Sequence, residues 1–162
     1  MTKKPGKLSH VAPDGSARMV DVSAKPESVR TARARGSIRM SMDALEAIRS
    51  HQIAKGDVLS VARLAGVMAA KRTAELIPLC HPLLLEDVQV ELSADAGLPG
   101  VVAESQVRTT GRTGVEMEAV VAVTVALITV YDMAKSADRS MVIGDISLVE
   151  KTGGRSGGYI AG

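Results

Sequence analysis

From Thr31 to Met40 the chain alternates strictly in polarity, and that run limits the fold more than any other stretch. Thr31, Arg33, Arg35, Ser37 and Arg39 fall on one side of an extended chain, and Ala32, Ala34, Gly36, Ile38 and Met40 fall on the other. A period of two marks a strand with one wet face and one buried face. Such a strand needs partners in a sheet and a second layer over its apolar side. Hydrophobic residues make up 46% of the 162, enough to bury roughly 70% of the unfolded surface in one self-sufficient core. That core is aliphatic, because Phe and Trp are absent and Tyr131 and Tyr159 are the only aromatics beside eight Met.

The remaining elements follow from caps and periodicity. Ser41 is placed to cap a short helix to about Ser50, and Asp57 a second one to about Ala74. The buried stripe predicted for the second helix is Val58, Val61, Ala62, Ala65, Met68 and Ala69. Between Ile77 and Pro82, two prolines remove amide donors and disfavour helical backbone at Ile77 and His81, which predicts a fixed, extended loop. Val88, Val90 and Leu92 alternate with polar residues, Ala96 to Gly100 reads as a turn, and Val101 to about Thr110 returns as a strand. From Thr113 to Lys135 the Val and Thr content favours strand, while the length favours helix. The capping-box spacing of Thr113 and Glu116, with the cation Lys135 at the far end, decides for a buried helix. A last strand covers about Met141 to Val149.

Strand, helices, two strands, helix, strand is the order of an α+β sandwich of ferredoxin-like type, an antiparallel sheet with helices on one face. A flexible arm is expected over residues 1–17, one α+β domain over 18–150, and over 151–162 a Gly-rich tail able to order when substrate binds.

Several function classes fall away at this point. The net charge of +2 is too close to neutral for a polyanion-binding surface over the whole molecule. The first forty residues are nonetheless basic, with Lys3, Lys4, Lys7, Arg18, Lys25, Arg30, Arg33, Arg35 and Arg39 against Asp14, Asp21 and Glu27. Without aromatic stacking platforms, nucleic acid is not expected as a partner. The longest apolar run, Ala119 to Tyr131, reads as too short for a bilayer core of ~30 Å, and no apolar signal core opens the chain. A lone cysteine, Cys80, gives no disulfide framework and fits a reducing compartment, so the cytoplasm is expected. His10, His51, His81 and Cys80 have none of the short spacings of structural zinc, and no metal site is expected.

Asp132 and Lys135 share one helix face, either as an ordinary surface ion pair or as a pair facing a ligand. His81, held between prolines, suits a general acid or base and equally a structural role. Cys80 as a nucleophile is disfavoured, since adjacent residues in extended backbone point apart. Lys55 reads as a solvated loop lysine unless its pKa is lowered. Glu116 and Glu118 are explained by the first turn of a helix alone. Lys151 and Arg155 sit in a tail whose backbone amides could nest a phosphate.

Seven runs taken together resemble one family. They are Met19-Val-Asp-Val-Ser-Ala-Lys25, Lys55-Gly-Asp57, Ala69-Ala-Lys-Arg-Thr73, Leu76-Ile-Pro-Leu-Cys-His-Pro-Leu83, Gly111-Arg-Thr-Gly-Val-Glu-Met-Glu-Ala119, Val130-Tyr-Asp-Met133 and Lys151-Thr-Gly-Gly154. The family is the cyclic pyranopterin monophosphate synthases, molybdenum cofactor biosynthesis protein C, and the resemblance spans about residues 18–158. It implies a ferredoxin-like fold and a lyase that converts 3′,8-cyclo-7,8-dihydroguanosine 5′-triphosphate to cyclic pyranopterin monophosphate, releasing pyrophosphate. It further implies a homohexamer, a trimer of dimers, with active sites shared between subunits. No tightly bound cofactor is expected; Mg²⁺ would enter, if at all, on the substrate triphosphate.

By the same resemblance Asp132, Lys135, Lys55 and His81 are expected to be catalytic, and Leu79, Cys80, His81, Met117 and Glu118 to bind substrate. Lys25, Arg30, Glu116 and Lys151 match further polar positions near the family's pocket. The lysines are expected to transfer protons, with pKa values lowered by burial and neighbouring cations, while Asp132 orients Lys135. Three residues depart from the family's pattern: Ala134 stands where a cysteine is common, Arg112 in a Gly-Lys-Thr-Gly stretch, and Arg155 in place of a tail lysine. Arginine keeps the charge but does not readily donate a proton, so phosphate binding is the role left at those two positions. The rival readings are a non-catalytic oligomer that holds nucleic acid on Arg33, Arg35 and Arg39, and a relative that binds a pterin precursor without turnover.

Overall fold

The computed structural model describes residues 15–154 and 157–162, so most of the arm expected over 1–17, and Arg155 in the tail, lie outside the described residues. The alternating run becomes β1 (Ser28–Arg39), with Ala32, Ala34 and Ile38 buried and Arg33, Arg35 and Arg39 exposed. Ser37 departs from the alternation. It is buried, and its hydroxyl donates to Asp145 Oδ2 at 2.9 Å.

Both predicted caps form. Ser41 accepts from the Ala44 amide at the head of α1 (Met42–Arg49), and Asp57 accepts from the Ser60 amide at the head of α2 (Val58–Ala70). Helix α2 stops at Ala70, not Ala74, and a separate turn, α3 (Thr73–Leu76), follows. Its buried stripe also differs from expectation: Val58, Ala62, Gly66, Ala69 and Ala70 face inward, whereas Val61 and Met68 are 45% and 48% exposed. Gly66 explains the rotation, since a Cβ there would lie 2.8 Å from the Ala122 carbonyl oxygen. Around Gly66 the helix packs on the small residues Ala62, Ala69 and Ala70, and Val61, Leu64 and Met68 are left outside.

The hairpin is β2 (Asp87–Asp95) and β3 (Gly100–Gly111), followed by α4 (Glu116–Ala134), β4 (Val142–Thr152) and β5 (Tyr159–Ile160). In the sheet the strand order is β2-β3-β1-β4-β5 with every neighbour antiparallel. Strands β1 and β2 therefore run the same way with β3 between them, the split arrangement of the ferredoxin-like fold. Helices α2 and α4 lie against each other, α4 over β1 and β3 and α2 over β2. The last long strand runs on past Val149 to Thr152, which carries Lys151 into the sheet.

Helix α4 is the centre of the core, with Ala119, Ala122, Val123, Ala126, Leu127 and Val130 all at 0% exposure. Burial of Val121, Val123 and Val130 against the sheet and α2 offsets its β-branched content, and Thr124 and Thr129 satisfy their hydroxyls on the carbonyls of Val120 and Val125, each at 2.8 Å. The expected capping box does not form: Val115 is the N-cap, without a side-chain hydrogen bond. By length and composition α4 is long and apolar enough to cross a membrane, contrary to expectation, and 56% of that window is buried inside the protein.

Candidate active site

Loop, strand and helix ends meet at one end of α4 around a cleft of ≈ 360 Å³. The run between the prolines begins as a tight turn, closed by the Cys80 amide donating to the Ile77 carbonyl at 3.0 Å, with Pro78 at its first corner. It then extends, and Leu79, Cys80 and His81 all line the cleft despite being consecutive. Met117 and Glu118 come from the first turn of α4 together with Glu116, and Lys25 comes from the segment before β1. Val20, Val22, Leu83, Thr113 and Gly114 complete the wall. These five were missed as site residues, although Val20 and Val22 lie in the run ending at Lys25, and Thr113 and Gly114 in the run ending at Ala119.

The electrostatics of the cleft are set by burial. Glu118 is 4% exposed, which no helix-dipole argument anticipates, and burial raises its pKa to about 7, with the nearby Glu116 adding to the effect. Near neutral pH this carboxyl populates both its protonated and its ionised form. Burial also pushes the Cys80 thiol up, as does Glu118, so Cys80 is a poor thiolate and lines the cleft as a small apolar group. Glu116 instead accepts from Lys151 Nζ at 2.9 Å, tying the end of β4 to the first turn of α4. His81 Nε2 lies 2.8 Å from the Val20 carbonyl oxygen. A carbonyl only accepts, so Nε2 carries the hydrogen and Nδ1 of the neutral ring keeps its lone pair.

The other end of α4 carries a second polar cluster. Asp132 accepts from Lys55 Nζ at 2.7 Å through Oδ2 and from Lys135 Nζ at 2.8 Å through Oδ1, and Lys55 also donates to the Asp132 carbonyl at 3.0 Å. Hydrogen bonds from Lys135, then from Lys55, hold the Asp132 carboxyl at a pKa of about 2. It is a fixed carboxylate that orients two ammonium groups and is too weak a base to take a proton near neutrality. The burial expected to lower the lysine pKa values is not found in the single chain, where the Lys55 and Lys135 side chains are 49% and 50% exposed.

The two clusters do not meet within one chain. Glu118 and Asp132 stand at opposite ends of α4, about 21 Å apart at ~1.5 Å rise per residue. Arg30 also stays off the cleft wall and bonds instead to the carbonyls of Gly111 and Arg112. Ala134, one of the departures from the pattern, is fully buried. Among the described residues no three of His, Cys, Asp and Glu gather as a metal site would require. The basic face of β1 is answered by acids from both neighbouring strands, Arg33 by Glu150 at 3.6 Å and Arg35 by Glu104 at 3.8 Å. These acids offset part of the positive charge on that face, while Arg39 at the strand's end stays exposed.

A buried acid poised near neutrality in a small cleft, on a fold whose other polar cluster is a carboxylate between two lysines, defines an acid–base enzyme of small polar molecules. The family model described as MoaC family matches residues 19–154. Similar proteins include three named cyclic pyranopterin monophosphate synthase. The one from Heliobacterium modesticaldum is 58% identical over 153 residues, 94% of this chain and 96% of the relative. The one from Methylobacterium sp. is 59% identical over 154 residues, 95% and 96%, and that from Brucella ovis 53% identical over 154 residues, 95% and 93%. The chain belongs to the MoaC family.

Proposed function

We propose that this protein is a lyase of molybdenum cofactor biosynthesis that converts 3′,8-cyclo-7,8-dihydroguanosine 5′-triphosphate to cyclic pyranopterin monophosphate and pyrophosphate. The observation that carries the reading is the cleft itself, which gathers Lys25, Leu79, Cys80, His81, Glu116, Met117 and Glu118 from three separated segments. Rebuilding a purine-derived ring needs protons delivered and removed at several ring atoms, and a carboxyl with a pKa of about 7 is suited to both directions. Closing the cyclic phosphate forms an oxygen–phosphorus bond at the α-phosphorus and breaks the one to the leaving pyrophosphate, a polyanion that cations stabilise.

In this reading His81 offers Nδ1 as a proton acceptor, and Glu118 moves protons on the ring system. Lys55 and Lys135, steered by Asp132, act on the substrate as proton donors or as counter-charges to the triphosphate. Because one substrate cannot span the length of α4, the lysine cluster of one chain serves the cleft of another. That requirement supports sites shared between subunits, as in the homohexamer, a trimer of dimers, that the family resemblance implies. The outward residues Val61, Leu64, Met68 and Ile128, each at least 45% exposed, provide apolar surface for such packing. No tightly bound cofactor enters this scheme, and any Mg²⁺ would arrive on the substrate triphosphate. The chain works in the cytoplasm, without nucleic acid or membrane as partner.

The test is pyrophosphate release from the cyclised guanosine triphosphate, comparing the wild type with Asp132→Ala and Lys135→Ala. Release by the wild type that both variants lose supports the reading. A folded wild type that releases nothing points to the binding protein without turnover.

A further inference from the structure

Arg30 lies near the start of β1 beside the cleft, and its guanidinium is occupied by backbone. Nε donates to the Gly111 carbonyl at 2.9 Å and Nη2 to the Arg112 carbonyl at 3.2 Å. These two carbonyls open the loop whose Thr113 and Gly114 line the cleft and which leads directly into Glu116 and Glu118. On its other side the guanidinium lies against the tail. A Cβ on Gly154 would come within 2.2 Å of Arg30 Nη1, and one on Gly153 within 2.2 Å of the Val29 carbonyl oxygen. Both glycines have positive φ, +88° and +78°, so this close approach is open to them and closed to other residues. Lys151, just before them, holds Glu116.

We propose that Arg30 is a positioning residue: its planar fork clamps the loop 111–114 against the glycine pair of the tail, and so sets where the first turn of α4 presents Glu116 and Glu118 to the substrate. The inference rests on the reading of the cleft as the substrate site. A guanidinium is needed because one rigid fork must serve two neighbouring carbonyls while its Nη1 end packs against a glycine backbone, and the compact ammonium of lysine cannot do all three. The tail thereby has a structural partner before any phosphate arrives, and an anion held near Gly153 and Gly154 would be coupled through one side chain to the cleft wall.

The experiment uses the full-length protein and the variants Arg30→Ala, Arg30→Lys and Gly154→Ala. Hydrogen exchange is read at residues 111–114 and 153–154, alongside kcat and KM for pyrophosphate release. We expect faster exchange in both segments for both Arg30 variants. Misplacement of about 1 Å is worth about 10²-fold in rate, so kcat should fall by about that factor with KM changing less. Methylguanidine, and not methylamine, should restore about tenfold of the Arg30→Ala loss, consistent with a rescued positioning group. Gly154→Ala should reproduce the loss, and combining it with Arg30→Ala should add little, as for two residues acting as one unit. Exchange unchanged in the loop, an Arg30→Lys enzyme that turns over like the wild type, or fully additive losses would each overturn the proposal. Exchange is read without turnover, so an inactive wild type with a loosened loop in Arg30→Ala would count against the substrate reading and not against the clamp.

Discussion

Replacing Glu118 by Gln should make this protein more stable at alkaline pH and nearly inactive. Glu118 is 4% exposed, and burial moves its pKa from 4.5 to about 7. In the unfolded chain the carboxyl loses its proton near pH 4.5, whereas in the folded chain it keeps it until about pH 7. Between these values the folded state binds more protons than the unfolded state, so stability falls as pH rises. It is greatest below the unfolded pKa and levels off above the folded one. At ~1.4 kcal/mol per pH unit the difference amounts to ~3 kcal/mol. Glutamine has the same shape and no charge to desolvate, so Glu118→Gln should lose this slope. For a chain of this size ~3 kcal/mol corresponds to a Tm gain of as much as about 6–12 °C at pH 8, with little gain at pH 4.5. The same change removes the proton, and turnover should fall about 10²–10⁴-fold. Thermal unfolding by circular dichroism from pH 4.5 to 8.5, beside pyrophosphate release, reads both effects. A variant that keeps the wild-type pH slope would refute the burial argument, and one that is stabilised yet fully active would refute the role in proton transfer.

At the other end of α4, Asp132→Asn should cost about 10²-fold or more in turnover while leaving the fold intact, because it frees two half-exposed lysines that it now orients; matched circular dichroism and kinetics check this. With its pKa held at about 2, Asp132 stays ionised throughout the working range, so any acidic limb between pH 5 and 8 should persist in Asp132→Asn. Gly66→Ala should destabilise by about 1–3 kcal/mol, since its Cβ would lie 2.8 Å from the Ala122 carbonyl oxygen; urea unfolding measures it, and an unchanged midpoint would contradict the packing account. Leu127→Ala, at 0% exposure in the core, should cost about 2–5 kcal/mol by the same measurement.

Local patterns carried most of the fold and only part of the site. The period of two in β1 and the caps at Ser41 and Asp57 were legible because each is decided by near neighbours along the chain. The stripe of α2 was misjudged because periodicity ranks Val61 and Met68 above a glycine, whereas the close approach to α4 is made possible by Gly66 having no side chain. At the head of α4 the capping-box pattern lost to a long-range ion pair: Glu116 reaches Lys151 on β4. The motif runs located the cleft residues, yet no spacing along the chain reveals that Val20 fixes the tautomer of His81, or that Glu118 is shut away from water. The separation of the two clusters could have been read, since residues 116–118 and 132–135 were already assigned to the two ends of one helix. For Arg30 the family resemblance indicated only a position near the pocket, and its bonds to the Gly111 and Arg112 carbonyls could not be read from spacing because those partners lie far along the chain.

The most direct test of a site assembled from two chains is complementation between two inactive variants. Asp132→Ala and Glu118→Gln proteins are denatured together in equal amounts, refolded and assayed for pyrophosphate release, with each variant refolded alone as control. If each site takes its cleft from one chain and its lysine cluster from another, random assembly restores about one quarter of the sites to the wild-type pair, and activity returns to about that fraction. A refolded mixture as silent as its two components would contradict the shared site and would require both clusters to serve a substrate within a single chain.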